Sequence, residues 1–298
     1  MNKTSLILES MRPKQWVKNL IVLAPLAFAQ KIFDPSLALK SGLAFFAFCL
    51  ASSGVYLLND LLDREADRYH PEKKDRPIAS GRVGASEAMA AMAVLFAAAA
   101  GLAFLSRPLV LVIVAAYVAL NLAYSFELKK LVVIDAFCIA SGFVLRILAG
   151  AAAPEIELST WIILCTFLGS LFLAFCKRRH ELGLAEAAAN HRAILAEYST
   201  RFLDQMISIS TACTVMAYAL WTMWPETVEK FGTRGLFWTV PFVCYGIFRY
   251  LYLVHQKNQG GSPSKVFLSD RPMIVNVALW MLVVVIILYA DKLPMLAF

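Results

Sequence analysis

The sequence is poor in charged residues, glycine and proline. Only 16% of its 298 residues are charged, and its 14 glycines and 12 prolines show no regular spacing. Soluble domains carry about 25% charged residues, so this composition argues against a soluble globular enzyme. The irregular glycine and proline positions exclude a collagen-like or low-complexity chain. Apolar residue types make up 60% of the sequence instead.

Signatures of several enzyme and metal-site classes are also missing. The six cysteines form no CxxC pair and fall within or at the ends of apolar runs, which is typical of small packing residues rather than disulfides or a metal site. The four histidines have no metal-ligand spacing, and the sequence contains no GxSxG, P-loop or HExxH motif. Common hydrolase, nucleotide-binding and zinc-protease chemistries are therefore not indicated.

Long apolar runs predict an all-α, polytopic membrane protein. A helix that crosses a bilayer needs about 20 mostly apolar residues. The nine segments that meet this requirement are about 17–33, 38–58, 86–105, 108–125, 132–152, 159–176, 204–223, 235–255 and 273–290. The first is the weakest, because Pro25 and Gln30 interrupt it. We expect nine transmembrane helices forming a single domain over residues 1–298.

The excess positive charge lies mostly on one side of these predicted spans. The net charge is +7, and most lysines and arginines fall in the N-terminal tail and in loops at about 59–85, 177–203 and 256–272. The positive-inside rule places this side in the cytoplasm, with the N-terminus inside and the C-terminus outside. We read the charge as a topology signal, so we expect a lipid bilayer around the protein and no nucleic-acid partner. No feature indicates an oligomeric state.

A row of polar side chains follows the second predicted span. Asn59, Asp63 and Asp67 are spaced by four residues, which puts them on one face of a helix. Hard oxygen ligands of this kind suit Mg²⁺, which is often shared with substrate phosphates. The alternative is a solvated helix end whose carboxylates pair with neighbouring arginines. The basic loop that follows favours a site for a metal and a diphosphate.

The motif Asn59-Asp60-x-x-Asp63-x-x-x-Asp67 resembles the first Asp-rich motif of the UbiA-type membrane prenyltransferase superfamily. That resemblance implies nine transmembrane helices, a cavity facing the cytoplasm and Mg²⁺ that binds a diphosphate. Other segments resemble the branch that makes decaprenylphosphoryl-phosphoribose. These are Arg12-Pro13-Lys14-Gln15-Trp16-Val17-Lys18-Asn19, His70-Pro71-x-Lys73-Lys74-Asp75-Arg76-Pro77-Ile78-Ala79-Ser80-Gly81, Tyr124-Ser125-x-x-Leu128-Lys129, Gly142-Phe143-x-Leu145-Arg146, Phe172-Leu173-Ala174-Phe175-x-Lys177-Arg178-Arg179-x-Glu181, Gly260-Gly261-Ser262-Pro263 and Ser269-Asp270-Arg271-Pro272.

The resemblance implies Mg²⁺-dependent transfer of a 5-phosphoribosyl group from phosphoribosyl diphosphate to a polyprenyl phosphate, with release of diphosphate, at a bacterial inner membrane. Asn59 and Asp63 would be metal ligands and catalytic residues, and Asp67 would join them directly or through a water. The substrate-binding candidates are Lys14, Lys18, Tyr56, Asp60, Lys73, Arg76, Tyr124, Lys129, Arg146, Lys177 and Arg178.

One departure from the superfamily separates the candidate functions. Ordinary members carry a second acidic motif after the sixth span, whereas this sequence has Lys177-Arg178-Arg179-His180-Glu181. The exchange disfavours a second metal and favours a phosphate without its own metal. A UbiA-type prenyltransferase that moves a polyprenyl chain onto an aromatic or other acceptor is the alternative. A transporter or lipid flippase is disfavoured, because we find no inverted repeats.

Arg146 lies inside the fifth predicted span, where a charge is costly unless it is paired or faces a cavity. Asp135 is three helical turns away, too far along the axis for direct pairing. Arg146 therefore either lines the cavity, which we favour, or meets a polar group on another helix.

Overall fold

The computed structural model describes residues 3–69, 73–185, 193–257, 259–261 and 263–289. All regular structure in this part of the chain is helical, which confirms the all-α prediction. The contacts divide the chain into two compact units, Met1–Leu158 and Ser159–Phe298. The motif residues His70, Pro71 and Ser262 lie outside the described residues.

Seven α-helices lie in the described part of the first unit. They are α1 (Lys3–Ser10), α2 (Ala24–Phe28), α3 (Pro35–Leu62), α4 (Arg64–Arg68), α5 (Ala85–Ser106), α6 (Pro108–Phe126) and α7 (Ile134–Ala152), with 3₁₀ helices at Pro13–Leu23 and Leu128–Lys130. The second unit has α8 (Thr160–Ala185), α9 (Thr200–Met223), α10 (Pro225–Phe231), α11 (Val240–Lys257), α12 (Pro263–Ser269) and α13 (Arg271–Tyr289), with 3₁₀ helices at Ala193–Glu197 and Gly235–Thr239.

Local sequence signals explain several helix ends. The carboxylate of Asp34 accepts hydrogen bonds from the first backbone amides of α3, and the Ser199 hydroxyl does the same for α9, as expected of N-cap residues. Pro108 and Pro225 occupy first-turn positions of their helices, where a missing N–H costs nothing. Gly232 ends α10 in the left-handed conformation, with φ of 65°, which glycine adopts without strain.

Eight helices among the described residues are long and apolar enough to cross a membrane, close to the predicted nine. They correspond to the second through ninth predicted spans, with ends shifted by a few residues in most cases. The first predicted span, 17–33, is not one continuous helix. The 3₁₀ helix Pro13–Leu23 is followed by the short α2, and the chain leaves α2 near Gln30, whose φ is 56°.

The prediction that a loop begins at residue 177 is also wrong, because α8 continues to Ala185. The hydropathy falls at Lys177, but the charged residues that follow are good helix formers. Glu181 pairs with Lys177 one turn earlier, an arrangement that supports a helix. The end of an apolar run therefore marks the membrane surface and not the end of the helix.

Small residues bring the helices of the first unit close together. Ala44, Ala47 and Ala51 lie on one face of α3 and are fully buried, which allows the close backbone approach common between membrane helices. Gly54 continues this face, and a side chain there would overlap the ring of Phe96 on α5, 2.5 Å away.

Gly150 permits the closest approach between the 3₁₀ helix Pro13–Leu23 and α7. A Cβ atom at this position would lie 2.0 Å from the carbonyl oxygen of Val22. The obstacle is backbone, so no side-chain rotation can relieve the overlap. The interrupted first segment is therefore packed against α7 as tightly as a glycine allows.

We expect Gly150→Ala to destabilise the folded chain by about 1–3 kcal/mol, since the added methyl must displace backbone. The measurement is the midpoint of thermal unfolding of the purified chain in detergent. Gly101→Ala is the matched control, because a Cβ atom at Gly101 on α5 meets nothing within 4 Å, and alanine is the better helix former. Equal midpoints for the two variants would contradict the close approach.

In the second unit, Asp270 joins α11 to the start of α13. Arg249 donates two hydrogen bonds to its carboxylate, from Nε at 3.2 Å and Nη2 at 2.9 Å. The backbone amide of Met273 donates a third at 2.9 Å. The hydrogen bond from Arg249, helped by that amide, holds the pKa of Asp270 below its usual range.

A lowered pKa means that ionised Asp270 stabilises the folded state above its usual pKa and that this contribution is lost as pH falls through the lowered value. Asp270→Asn should therefore lower the thermal midpoint at pH 7, by the equivalent of about 1–2 kcal/mol. The difference from the wild type should begin to shrink as the pH falls below about 4 and should vanish once the pH is below the lowered pKa. Glu229→Gln, at an exposed carboxylate, controls for charge, and a difference that persists in acid would refute this account.

Candidate active site

The acidic residues of the predicted site lie where α3 ends and α4 begins. Asn59 and Asp60 belong to the last turn of α3, Asp63 lies at the junction, and Asp67 is in α4. The amide of Asp63 bonds to the Asn59 carbonyl at 2.9 Å, and the amide of Asp67 bonds to the Asp63 carbonyl at 2.8 Å. This four-residue bonding continues through the junction, as the predicted alignment of Asn59, Asp63 and Asp67 requires.

Two of the carboxylates are buried and held by arginine. Asp60 and Asp67 are each 3% exposed. Asp60 accepts hydrogen bonds from Arg12 and, at 3.0 Å, from Arg76. Asp67 accepts from the same Arg76 nitrogen at 2.7 Å and lies 3.7 Å from the Lys73 ammonium. Carboxylates out of water need such compensation, so these cations are part of the site's structure.

Asp63 and Asn59 are placed differently. The side chain of Asp63 is 38% exposed, and its carboxylate lies 3.1 Å from the Lys129 ammonium. The Asn59 side-chain oxygen accepts a hydrogen bond from the Ser125 hydroxyl, at the end of α6. The end of α6 and the 3₁₀ helix Leu128–Lys130 therefore bring two polar groups to the Asn59–Asp63 face.

The oxygen atoms of this face fit a divalent metal that is only partly enclosed by protein. Asn59 and Asp63 offer one amide and one carboxylate, which are hard ligands. The described residues contain no group of three or more His, Cys, Asp or Glu arranged to hold a metal. Two oxygen ligands leave coordination positions for waters and substrate phosphates, which is the kind of site that Mg²⁺ uses.

The other predicted site residues of the first unit lie on segments near this cluster. Tyr56 is one turn before Asp60 on α3, and the Arg12 guanidinium lies 5.1 Å from its ring centroid. Lys14 is exposed and Lys18 half-buried, both on the 3₁₀ helix Pro13–Leu23. Tyr124 is half-buried in the last turn of α6.

Sequence reasoning assigned no role to two residues that the structure brings to the acidic cluster, Arg12 and Ser125. Both stand inside motifs that carried the family resemblance. Arg12 was indistinguishable from other cytoplasmic-side cations, which the positive-inside rule explains without a site. The signal that could have identified it is the Pro13 that follows, since a proline fixes the start of the next segment.

Arg146 is buried among polar and aromatic partners of the first unit. It is 5% exposed and donates to the side-chain oxygen of Asn19 at 2.7 Å, the Gly142 carbonyl at 2.8 Å and the Tyr117 hydroxyl at 3.0 Å. The ring centroid of Tyr117 is 4.7 Å from its guanidinium. These contacts match the alternative in which Arg146 meets polar groups on other segments. A role in substrate binding stays a prediction.

We expect Arg146→Met to destabilise the chain by about 3 kcal/mol or more, because it leaves Asn19 and Tyr117 with unmet hydrogen bonds in a buried place. Tyr117→Phe removes one acceptor only and should cost about 1 kcal/mol. Thermal midpoints in detergent measure both. An Arg146→Met chain as stable as the wild type would show that these contacts do not hold the first unit together.

In the second unit, the three consecutive cations near the end of α8 all have carboxylate partners. Lys177 lies 3.7 Å from Glu181, and Arg178, whose side chain is 1% exposed, also bonds to Glu181. Arg179 bonds to Asp204 on α9 at 3.1 Å. The predicted basic cluster is therefore present, but with its charge partly neutralised within the unit.

Comparison with known proteins covers almost the whole chain. Residues 20–277 match the model of the UbiA prenyltransferase family. The decaprenyl-phosphate phosphoribosyltransferase of Corynebacterium glutamicum is 38% identical over 292 residues, covering 95% of this chain and 86% of that protein. The protein of the same name from Mycolicibacterium smegmatis is 35% identical over 291 residues, with 94% and 91% covered.

A solved structure has the same fold. The structure of a UbiA homolog from Archaeoglobus fulgidus bound to GPP and Mg²⁺ aligns with a TM-score of 0.74, covering 95% of this chain and 99% of that one. Only 18% of the residues are identical, so the likeness establishes the architecture and not the reaction.

Proposed function

Because the chain belongs to the UbiA prenyltransferase family, we propose that it transfers the 5-phosphoribosyl group of phosphoribosyl diphosphate to a polyprenyl phosphate of the decaprenyl type. The observation that carries this proposal is the similarity to decaprenyl-phosphate phosphoribosyltransferases along nearly the full length of the chain. The protein is then a pentosyltransferase, and diphosphate is its second product.

The reaction exchanges one C–O bond for another. An oxygen of the lipid phosphate attacks C1 of the ribose, and the bond from C1 to the diphosphate breaks, with the bonding electrons leaving on the diphosphate. The incoming phosphate is already an anion at neutral pH, so no general base is needed. Catalysis then depends on positioning and on stabilising the charge that develops on the leaving group.

Asn59 and Asp63 are the residues that would hold Mg²⁺ in this reaction. When bound, the metal neutralises charge on the departing diphosphate. Asp63 is the most exposed of the three aspartates in the cluster, and it pairs with a lysine rather than with an arginine. A lysine ammonium binds as a point charge and can move from a carboxylate to a phosphate.

The cations that pair with the acidic cluster would bind the phosphates of both substrates. They outnumber the carboxylates they meet, since Arg12, Lys73, Arg76 and Lys129 contact Asp60, Asp63 and Asp67. That excess suits highly anionic substrates. The further substrate-binding residues that we propose are Lys14, Lys18, Tyr56, Tyr124, Arg146, Lys177 and Arg178.

We also propose that the chain is a single UbiA-type domain of a bacterial inner membrane, with its N-terminus in the cytoplasm and its C-terminus outside. The positive-inside rule supports this orientation, because most of the lysines and arginines lie on the side of the N-terminal tail. Water-soluble phosphoribosyl diphosphate would then reach the acidic cluster from the cytoplasm.

The test is mass spectrometry of the lipid formed when the purified chain receives phosphoribosyl diphosphate, Mg²⁺ and a mixture of polyprenyl phosphates. We expect a phosphoribosylated lipid and free diphosphate, and no product in excess EDTA. A parallel incubation replaces these substrates with a polyprenyl diphosphate and an aromatic acceptor. Product in that incubation alone would establish the prenyltransferase alternative.

The matched variants for this assay are Asp63→Asn and Glu65→Gln. The first removes a proposed metal ligand and should lower kcat/KM by about a hundredfold or more. The second changes a carboxylate on α4 whose side chain is 72% exposed and should leave turnover within about twofold. Equal turnover by Asp63→Asn and the wild type would contradict the metal assignment.

A further inference from the structure

A single nitrogen of Arg76 bridges the two buried carboxylates of the cluster. Its Nη1 atom lies 3.0 Å from Asp60 and 2.7 Å from Asp67. Arg12, which comes from the N-terminal segment, bonds to the same oxygen of Asp60. The guanidinium side chains of Arg12 and Arg76 are both 30% exposed, whereas each carboxylate side chain is 4% exposed. The arginines are therefore the more exposed members of these ion pairs.

The backbone also fixes Arg76 in place. The Arg68 side chain donates to the carbonyl of Ala79 at 3.2 Å, and the amide of Val83 donates to the carbonyl of Pro77 at 2.9 Å. The turn that follows Arg76 is thus tied to α4 and to itself. The guanidinium itself is held through Nη1 by its two carboxylate partners.

Arg12 is held in an unusual backbone conformation. Its backbone is in the left-handed region, with φ of 54°, which costs a non-glycine residue free energy that the surroundings must offset. The hydrogen bond to Asp60 and the contact with the Tyr56 ring supply part of that offset. Two arginines from separate segments thereby converge on the same buried carboxylate.

We propose that Asp60 and Asp67 are positioning residues, which fix Arg12 and Arg76 to bind the diphosphate of the donor and do not themselves ligate the metal. Only the Nη1 atom of Arg76 contacts Asp60 and Asp67, so the Nε and Nη2 atoms of the same guanidinium take no part in these two ion pairs. A guanidinium held by carboxylates on one edge can meet a phosphate with another. This inference rests on the proposed function only for the identity of the anion.

The loss of a negative charge and the loss of a positioning residue should change anion affinity in opposite directions, which makes the proposal testable. Removing a negative charge near an anion site should, by Coulomb's law alone, strengthen anion binding. If Asp67 acts by fixing Arg76, its removal should weaken binding instead. The probe is inorganic pyrophosphate in the presence of EDTA, measured by isothermal titration calorimetry on the full chain in detergent.

We expect Asp67→Asn and Arg76→Gln each to weaken pyrophosphate binding by about tenfold or more. The double variant should bind no more weakly than Arg76→Gln alone, since Asp67 acts through Arg76. Asp60→Asn should weaken binding as well and provides an independent second variant if Asp67→Asn does not fold. Asp75→Asn, an exposed carboxylate of the same loop, is the matched control and should stay within about twofold.

Unchanged or tighter pyrophosphate binding by Asp67→Asn and Asp60→Asn would overturn the proposal, and so would a further loss in the double variant. Absence of metal-free pyrophosphate binding by the wild type would overturn it too. These results do not depend on which group is transferred, because a prenyl diphosphate carries the same diphosphate. Failure of the phosphoribosyl-transfer assay would therefore leave this test intact.

Metal binding gives a second readout. Mn²⁺ titrations followed by electron paramagnetic resonance should show about tenfold or greater loss of affinity for Asp63→Asn. Asp67→Asn should retain Mn²⁺ affinity within about twofold of the wild type. A loss for Asp67→Asn as large as that for Asp63→Asn would make Asp67 a metal ligand and refute the positioning role.

Discussion

The arrangement at the end of α3 depends on one electrostatic constraint, the burial of two carboxylates where a membrane helix ends. Asp60 and Asp67 leave water on folding, and a buried carboxylate is tolerated only when cations and hydrogen bonds compensate for lost hydration. Arg76 meets both, and Arg12 meets Asp60. This single requirement joins the N-terminal segment, α3, α4 and the following loop, and it determines which side chains stand beside the Asn59–Asp63 face.

The same constraint divides the cluster into two kinds of carboxylate. Asp60 and Asp67 are buried and bound to arginine, while Asp63 is partly exposed and faces Lys129. A partly exposed carboxylate paired with one lysine can exchange that partner for a metal at less cost than a buried carboxylate paired with arginine. Residues that form one pattern in the sequence therefore lie in two different environments.

The sequence predicted much of the fold, because hydropathy over about 20 residues follows directly from the bilayer. The prediction of one continuous helix failed in a segment where hydrogen bonds between polar side chains, and not hydropathy, determine the backbone path. The segment 17–33 breaks into a 3₁₀ helix and a short α-helix, and Asn19 on it bonds to Arg146 and to Ser52. The four-residue spacing of Asn59, Asp63 and Asp67 is matched by four-residue backbone hydrogen bonds, but Asp67 is buried and Asp63 is partly exposed. Arg12 was missed, because a cation that serves a site and a cation that sets topology look alike in sequence.

The sequence by itself determined the helical class, the approximate positions of eight membrane-spanning helices, the acidic helix face and the family. The helical class, the spans and the helix face follow from composition or from spacing along one chain segment, and the family follows from the resemblance of several motifs, so no distant contact is needed. Only the tertiary structure decided which cation meets which carboxylate, that Arg146 pairs with Asn19 and Tyr117, and that Asp60 and Asp67 are buried while Asp63 is accessible. Several of those contacts, such as Arg12 with Asp60 and Arg146 with Asn19, join residues far apart in the chain, and burial is created only when the helices pack.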